Sequence, residues 1–389
     1  MKLREVFAVW SYAFFLQSGF FKSDPRLAWI PIDLTILLAV VVGFFILWEL
    51  LQNQKLSAGI FLILLFFVLL IPSLFASDWT IYQNEKTLRL FTQTILVAVA
   101  PFFLIKNEKA LSQFLKALVF LGSLIILETL FQMIISRGDI WRISPFGASV
   151  IGLGRSVGLV TICFGLKIVI DKSTFRDWLI LMASVVVLLA SGQRMAIIGP
   201  ALAVLITLIS TYGIKFNYLS RLLIIALLIV IVVSASFLFL PERSRLRLTS
   251  SFSRGLSAFL ERGTQSRTVA FLNSFIASVE QPFGLGLGGF AHKVDGLGQY
   301  PHNIIAEVFV EAGWLAGVWF IMIIILAFLV GFLKVRNSRS YINEIIFGML
   351  VFSLLYALVA GDINDNRMLF AFISVLMSVK TIPRVAISL

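Results

Sequence analysis

The chain of 389 residues is a succession of apolar runs separated by short polar breaks. A helix needs roughly 20 mostly apolar residues to cross a bilayer, and runs of that kind fall at 5–21, 35–51, 56–76, 87–105, 113–135, 156–170, 178–190, 195–212, 221–240, 313–333, 345–361 and 368–382. The pattern predicts about twelve transmembrane helices. Most breaks are as short as QNQK at 52–55 and KNEK at 106–109, whereas 136–155 and above all 241–312 are longer. An even number of spans puts both termini on one side. The first run follows a basic start, MKLREVFAVWSYAFF, with no small-residue cleavage site after it, and therefore reads as a retained span.

Composition narrows the class. Hydrophobic residues make up 59%, charged residues 13%, and the mean hydropathy is +0.99, against about 45–50% apolar residues in soluble domains. A single integral membrane domain over 1–389 is the economical expectation, with the lipid bilayer as its surroundings and no nucleic acid as a partner. The one cysteine, Cys163, lies in an apolar run and can form no intramolecular disulfide.

Counting Lys and Arg on the two sides of the expected spans does not by itself choose an orientation, but their identity is informative. With the N-terminus cytoplasmic, the inner side is rich in lysine, while the outer side, apart from Lys22, Lys86 and Lys293, carries arginine. Short loops also favour this orientation under the positive-inside rule. Arginine presents a planar fork that matches phosphate oxygens in pairs, which lysine lacks. Arg137, Arg142, Arg155, Arg194, Arg243, Arg245, Arg247, Arg254, Arg262, Arg267 and Arg367 all fall at the outer surface in this reading. Many such residues simply snorkel to lipid phosphates. Arg155 in GLGRSVG and Arg194 in SGQRMAIIG stand apart, each at the mouth of an apolar helix beside small residues, where an ionisable group is a functional candidate.

The 241–312 segment is the elaborate one, and the spacing predicts an outer loop carrying part of a site. Apolar residues at 269, 272, 275, 276 and 279 keep helical spacing and predict an amphipathic helix on the membrane surface, ending at Gln281-Pro282 because the residue before proline disfavours the helical region. Gly284, Gly286, Gly288 and Gly289 then allow a tight backbone path, either a phosphate cradle or a plain turn; the run fits neither the Walker A nor the dinucleotide pattern. Pro301 suits the first turn of the next helix. His302 would then sit at a helix N-terminus, where free N–H groups favour anions and lower imidazole basicity. Asn303 is placed to fix that imidazole or cap the helix. Glu307 and Glu311 share a helix face at four-residue spacing, and Gly313 with Gly317 forms a small-xxx-small pair for close helix approach.

These residues carry a resemblance. Arg267, then PFGLGLGGF, then PHNIIAEVFVEAGWLAGVWF resembles the signature of the O-antigen ligase/polymerase superfamily, and SGQRMAIIG is similar to that family's S-x-S-R element with Gln193 in place of the second serine. The resemblance spans about 190–320 in motif and the whole chain in layout. It implies an all-α, GT-C-like polytopic membrane glycosyltransferase in the bacterial inner membrane. The active site would be periplasmic and the donor a glycan on undecaprenyl pyrophosphate, with no metal or other cofactor. Residue by residue, Arg194 and Arg267 would bind the pyrophosphate, joined by Arg155 from its position. His302 would deprotonate or orient the acceptor hydroxyl, and Asn303, Gly286 and Gly288 would support the site. The acceptor would be a carrier-linked glycan in a polymerase, with a chain-length co-polymerase as a partner, or lipid A core in a ligase. Polymerisation of surface polysaccharide repeats is the preferred expectation, because the outer loop has no evident extra binding module. Two readings from other classes are a transporter for a small anion or lipid-linked sugar and a scaffold subunit. A transporter would break its helices at glycine or proline within the membrane, whereas the glycines of this chain cluster in a loop.

The orientation is testable. Cysteine introduced at Ser253 in a Cys163-free background should react with a membrane-impermeant thiol reagent in cells with a permeabilised outer membrane. Reaction only after inner-membrane rupture would reverse the orientation.

Overall fold

Where no water reaches the backbone, an apolar run has to close its hydrogen bonds internally, and among the described residues there is helix and no strand. The computed structural model describes residues 1–52, 57–136, 143–171, 173–213, 220–222, 225–228, 234, 237–246, 255–294, 300–338 and 340–379, except the side chains at 238 and 255–266. The helices are α1 Leu3–Phe21, α2 Leu34–Leu51, α3 Ala58–Leu69, α4 Ile81–Arg89, α5 Ile95–Leu104, α6 Glu108–Ser136, α7 Val150–Ile170, α8 Phe175–Ala190 and α9 Arg194–Tyr212. They continue with α10 Gly255–Glu280, α11 Gly289–Lys293, α12 Ile304–Ser338, α13 Tyr341–Ala357 and α14 Arg367–Ser378. A π turn, Leu90–Thr94, joins α4 to α5.

This is an all-α membrane protein. Among the described residues seven stretches are long and apolar enough to cross a bilayer: Leu34–Leu51, Ala58–Ala76, Ile81–Leu104, Glu108–Ser136, Val150–Ile170, Arg194–Tyr212 and Ile304–Ser338. The spans expected at 5–21, 178–190, 345–361 and 368–382 coincide with α1, α8, α13 and α14, which fall short of that measure. The span expected at 221–240 lies largely outside the described residues, as do Arg137, Arg142, Arg247, Arg254 and the side chain of Arg262. Phe7, Phe44, Phe61, Phe131, Ile134, Ile325 and Leu333 stand exposed on the helix surfaces, an apolar girdle that needs lipid rather than water against it.

Burial orders the bundle. In the most apolar stretch of α7, 83% of residues are buried, against 28% in α2, so α7 is the central post and α2 a peripheral helix. Glycines let α7 take that place: a methyl on Gly158 would lie 2.4 Å from the Phe352 ring, and one on Gly154 2.7 Å from Ala196. Through them α13 and α9 pack directly against α7.

Two expectations shift in α12. The helix begins at Ile304, three residues later than a proline in its first turn requires, because Asn303 is the cap: its Oδ1 accepts from the Ile305 and Ala306 N–H groups at 3.0 and 3.1 Å. His302 lies before the cap in the left-handed region, at φ 58°. Further along, Gly313 breaks the helix at φ 86°. The freed carbonyls of Val310 and Glu311 accept from the N–H groups of Leu285 and Gly286 at 2.9 and 3.0 Å, and the Trp314 N–H donates to the Pro282 carbonyl at 2.9 Å. Gly313 and Gly317 are thus not a docking stripe for another helix: Gly313 makes the break, and Gly317 gives room to the Phe309 ring of the same helix, 2.6 Å from where a methyl would sit. The Gly-rich run patches a broken membrane helix.

The amphipathic helix ends at Glu280, as the following proline requires. It packs through small residues, Ala270, Ser274, Ala277 and Ser278, while Val269, Leu272, Phe275, Ile276 and Val279 remain exposed. Its apolar stripe faces outward. The Trp314 indole N–H holds it to α12 through the Ser278 carbonyl at 2.8 Å.

Alanine at Gly313 would adopt a disfavoured φ and press on the Pro282 carbonyl, 2.7 Å from the new methyl. Gly313→Ala should therefore cost about 1–3 kcal/mol or more of stability, read as a fall in thermal unfolding temperature in detergent. Gly43→Ala, with nothing within 4 Å of the new methyl, should be neutral or mildly stabilising.

Candidate functional site

Between α13 and α14 the chain reads LVAGDINDN, residues 358–366, a polar loop between two apolar helices. Buried backbone groups need partners, and these come from across the bundle. Arg155 on α7 donates to the carbonyls of Asp365 and Ala360 and to the Asn366 Oδ1, the latter two at 2.9 Å. Its guanidinium also lies 5.0 Å from the Tyr356 ring centre. Asn364 accepts from the Thr94 hydroxyl at 2.7 Å and donates to the Lys86 carbonyl at 2.9 Å. Gly361, at φ 80°, leaves the space against which the Arg155 fork lies.

The other expected site residues meet the same loop or its neighbours. Arg267, exposed on α10, donates to the Val359 carbonyl at 3.2 Å. Asn303 donates to the Leu358 carbonyl at 3.3 Å. The His302 ring lies against Tyr300, tilted by 54° with centres 4.4 Å apart, and the Tyr300 phenol is hydrogen-bonded by the Gly361 backbone. Burial raises the Tyr300 pKa, and the Asp365 carboxylate pushes the same way; the phenol stays protonated at neutral pH. Arg194 is exposed at the first turn of α9. Its neighbour Gln193 accepts from the Tyr356 hydroxyl, the tyrosine beneath Arg155. His292 is exposed on α11.

Gly286 and Gly288 support the arrangement from behind. A methyl on Gly286 would lie 2.8 Å from the backbone at Ala76 and Ser77, and one on Gly288 3.0 Å from Gln83, so both glycines let the Gly-rich run lie against the start of α4. The Gly288 backbone also hydrogen-bonds the Glu311 carboxylate.

Sequence reasoning missed the group at the centre. Lys86 was expected at an outer span end; instead α4 starts at Ile81, behind a Thr80–Gln83 capping box, so Lys86 is one turn and more inside the helix. Its ammonium lies 2.6 Å from Glu307 and 2.6 Å from Glu311, and all three side chains are 2% exposed or less. Glu307 also accepts from the Ile363 N–H at 3.2 Å. Arg155 shifts likewise, from the mouth of its helix into it: α7 starts at Val150, capped by the Ser149 hydroxyl. The available signals were the Glu307/Glu311 spacing and a Gly-Asp-x-Asn-Asp-Asn run too polar for a plain turn.

Lys86, Arg155, Glu307 and Glu311 all lie within candidate membrane spans, where ionisable residues are costly and mark functional centres. Removing one partner of a buried ion group leaves the rest uncompensated, at about 3–5 kcal/mol. Lys86→Met should lower thermal stability by that order, and adding Glu307→Gln and Glu311→Gln should restore much of it. Equal loss in single and triple variants would deny the ion group its structural part.

No family model matches the chain and no curated protein matches it, so the geometry of this loop and its partners is what speaks for the protein's function.

Proposed function

We propose that the chain is a metal-independent glycosyltransferase of the bacterial inner membrane. It works at the periplasmic face, with a glycan on undecaprenyl pyrophosphate as donor, and polymerises O-antigen or other surface polysaccharide repeats. The observation that carries the reading is the meeting of Arg267, Arg155, Asn303 and the Tyr300–His302 pair on the one loop 358–366, with Arg194 one residue from Gln193, which bonds Tyr356. Such a set suits displacement of a pyrophosphate. The acceptor hydroxyl oxygen attacks the donor sugar C1, the bond from C1 to the pyrophosphate oxygen breaks, and the electron pair leaves on the pyrophosphate. Arg194 and Arg267, both exposed, stabilise the growing charge of that anion. His302 takes the hydroxyl proton, held in orientation by the Tyr300 ring. Arg155, whose fork is spent on loop acceptors, acts as a positioning residue. Asn303 fixes the start of α12 rather than the imidazole.

A second reading has one specific observation behind it. α12 is discontinuous at Gly313, and broken helices with ionisable residues nearby are the architecture of many transporters. In that reading the chain moves a small anion or lipid-linked sugar past the same arginines. Transfer of finished glycan to lipid A core, as a ligase, uses the same donor half of the reaction and differs in the acceptor.

His302→Ala should leave normally abundant protein and lower glycan transfer by about 10²–10⁴-fold, the usual worth of a general base. Arg194→Ala and Arg267→Ala should each lose roughly ten- to a hundredfold, with Arg→Lys restoring part, while His292→Ala should change little. In cells lacking the protein, one repeat unit per acceptor indicates polymerase, and polymer held on the carrier with bare acceptor indicates ligase. Full transfer by purified His302→Ala protein would remove His302 from the chemistry, and sugar transport with no new glycosidic bond would turn the choice to the transporter.

A further inference from the structure

Loop 358–366 has a second charged end. Arg367, the first residue of α14, is partly buried, and its guanidinium donates to the Gln93 side-chain oxygen at 3.3 Å. It has no salt bridge within 4.0 Å among the described residues, and neither has Arg155. The Arg367 fork lies against Gly19 of α1, 3.1 Å from where a methyl would sit, so the absence of a side chain there leaves it room. Gln93 is carried on the π turn Leu90–Thr94, a local widening of the helix often found at functional sites. One turn before it stands Arg89, half exposed within a candidate span, whose acid partner among the described residues is Asp365 at 3.4 Å. Asp365 is itself half exposed. Three guanidinium groups, on α4, α7 and α14, therefore gather about one loosely held carboxylate.

We propose that Arg89 and Arg367 form an anion site for a phosphate or phosphate ester, for which the Asp365 carboxylate stands in when the site is empty. A carboxylate held by one arginine at 3.4 Å makes a weak, displaceable pair, whereas a phosphate offers oxygens to both forks at once. Gln93 adds a neutral polar group, and Arg155, committed to the loop backbone, contributes long-range charge. The site lies at the opposite end of loop 358–366 from Arg267, which bonds Val359. One end could thus hold a leaving pyrophosphate while the other holds a second phosphorylated group. That assignment of the two anions rests on the glycosyltransferase reading; the binding itself does not.

The test is binding of inorganic pyrophosphate and of farnesyl pyrophosphate to the full chain in nanodiscs of neutral lipid, by calorimetry. Arg367→Gln and the more exposed Arg89→Gln should each weaken both probes roughly tenfold or more, and Asp365→Asn, which removes the competing carboxylate, should tighten both. Farnesyl pyrophosphate binding more tightly than pyrophosphate marks a lipid-linked ligand as the source; equal affinities mark a free phosphate. Native affinity for both probes in Arg89→Gln and Arg367→Gln overturns the site, even where Arg267→Ala and His302→Ala have lost transfer. Native protein that forms no glycosidic bond, with binding lost in Arg89→Gln and Arg367→Gln, overturns the glycosyltransferase reading and leaves the anion site standing.

Discussion

One buried ion group holds the rest in register. Lys86 joins α4 to the first part of α12 through two carboxylates, and from Glu307 the bonding passes to the Ile363 N–H. An ammonium taken out of water is expensive, and its attraction to carboxylates repays that only when geometry and extra hydrogen bonds are good. Here the extra bonds come from loop 358–366 and from the Gly288 backbone. The charge therefore constrains three remote segments together: the Gly-rich run, the break in α12 and the polar loop. Arg155 does the same from the other side, through neutral acceptors.

The helices were legible because a bilayer leaves so few options. Apolar runs at 35–51, 156–170 and 195–212 have the length and periodicity of spans, and α2, α7 and α9 stand over them. Boundaries were less legible where charge is buried. Lys86 and Arg155 stand just outside the expected spans at 87–105 and 156–170, because an unpaired charge should stop a membrane helix; each is inside one, since a partner far along the chain neutralises or binds it.

The site was half legible for a related reason. His302, Arg267 and Asn303 stand out in sequence because they sit in a loop whose composition lipid does not explain. Loop 358–366 is nine residues between two apolar runs and looks like a turn; its importance lies in what it touches, and contact across the bundle has no local signature. The break in α12 shows the same limit. Gly313 is one glycine among several until the Leu285 and Gly286 N–H groups are seen to take up the carbonyls it frees.

The span between Lys86 and Glu311, 225 residues apart, bears on how the protein is made. Synthesis runs from the N-terminus, so α4 enters the membrane with a lysine whose counter-charges have not yet left the ribosome. Until α12 follows, that ammonium has to stay near the interface, be shielded by an insertion factor, or hold α4 short of its final depth. The early helices can pack against one another, but α4 reaches its place only when the C-terminal third arrives. A chain stopped before Glu307 would carry an exposed charge in the bilayer, a mark by which quality control can tell an unfinished protein from a finished one.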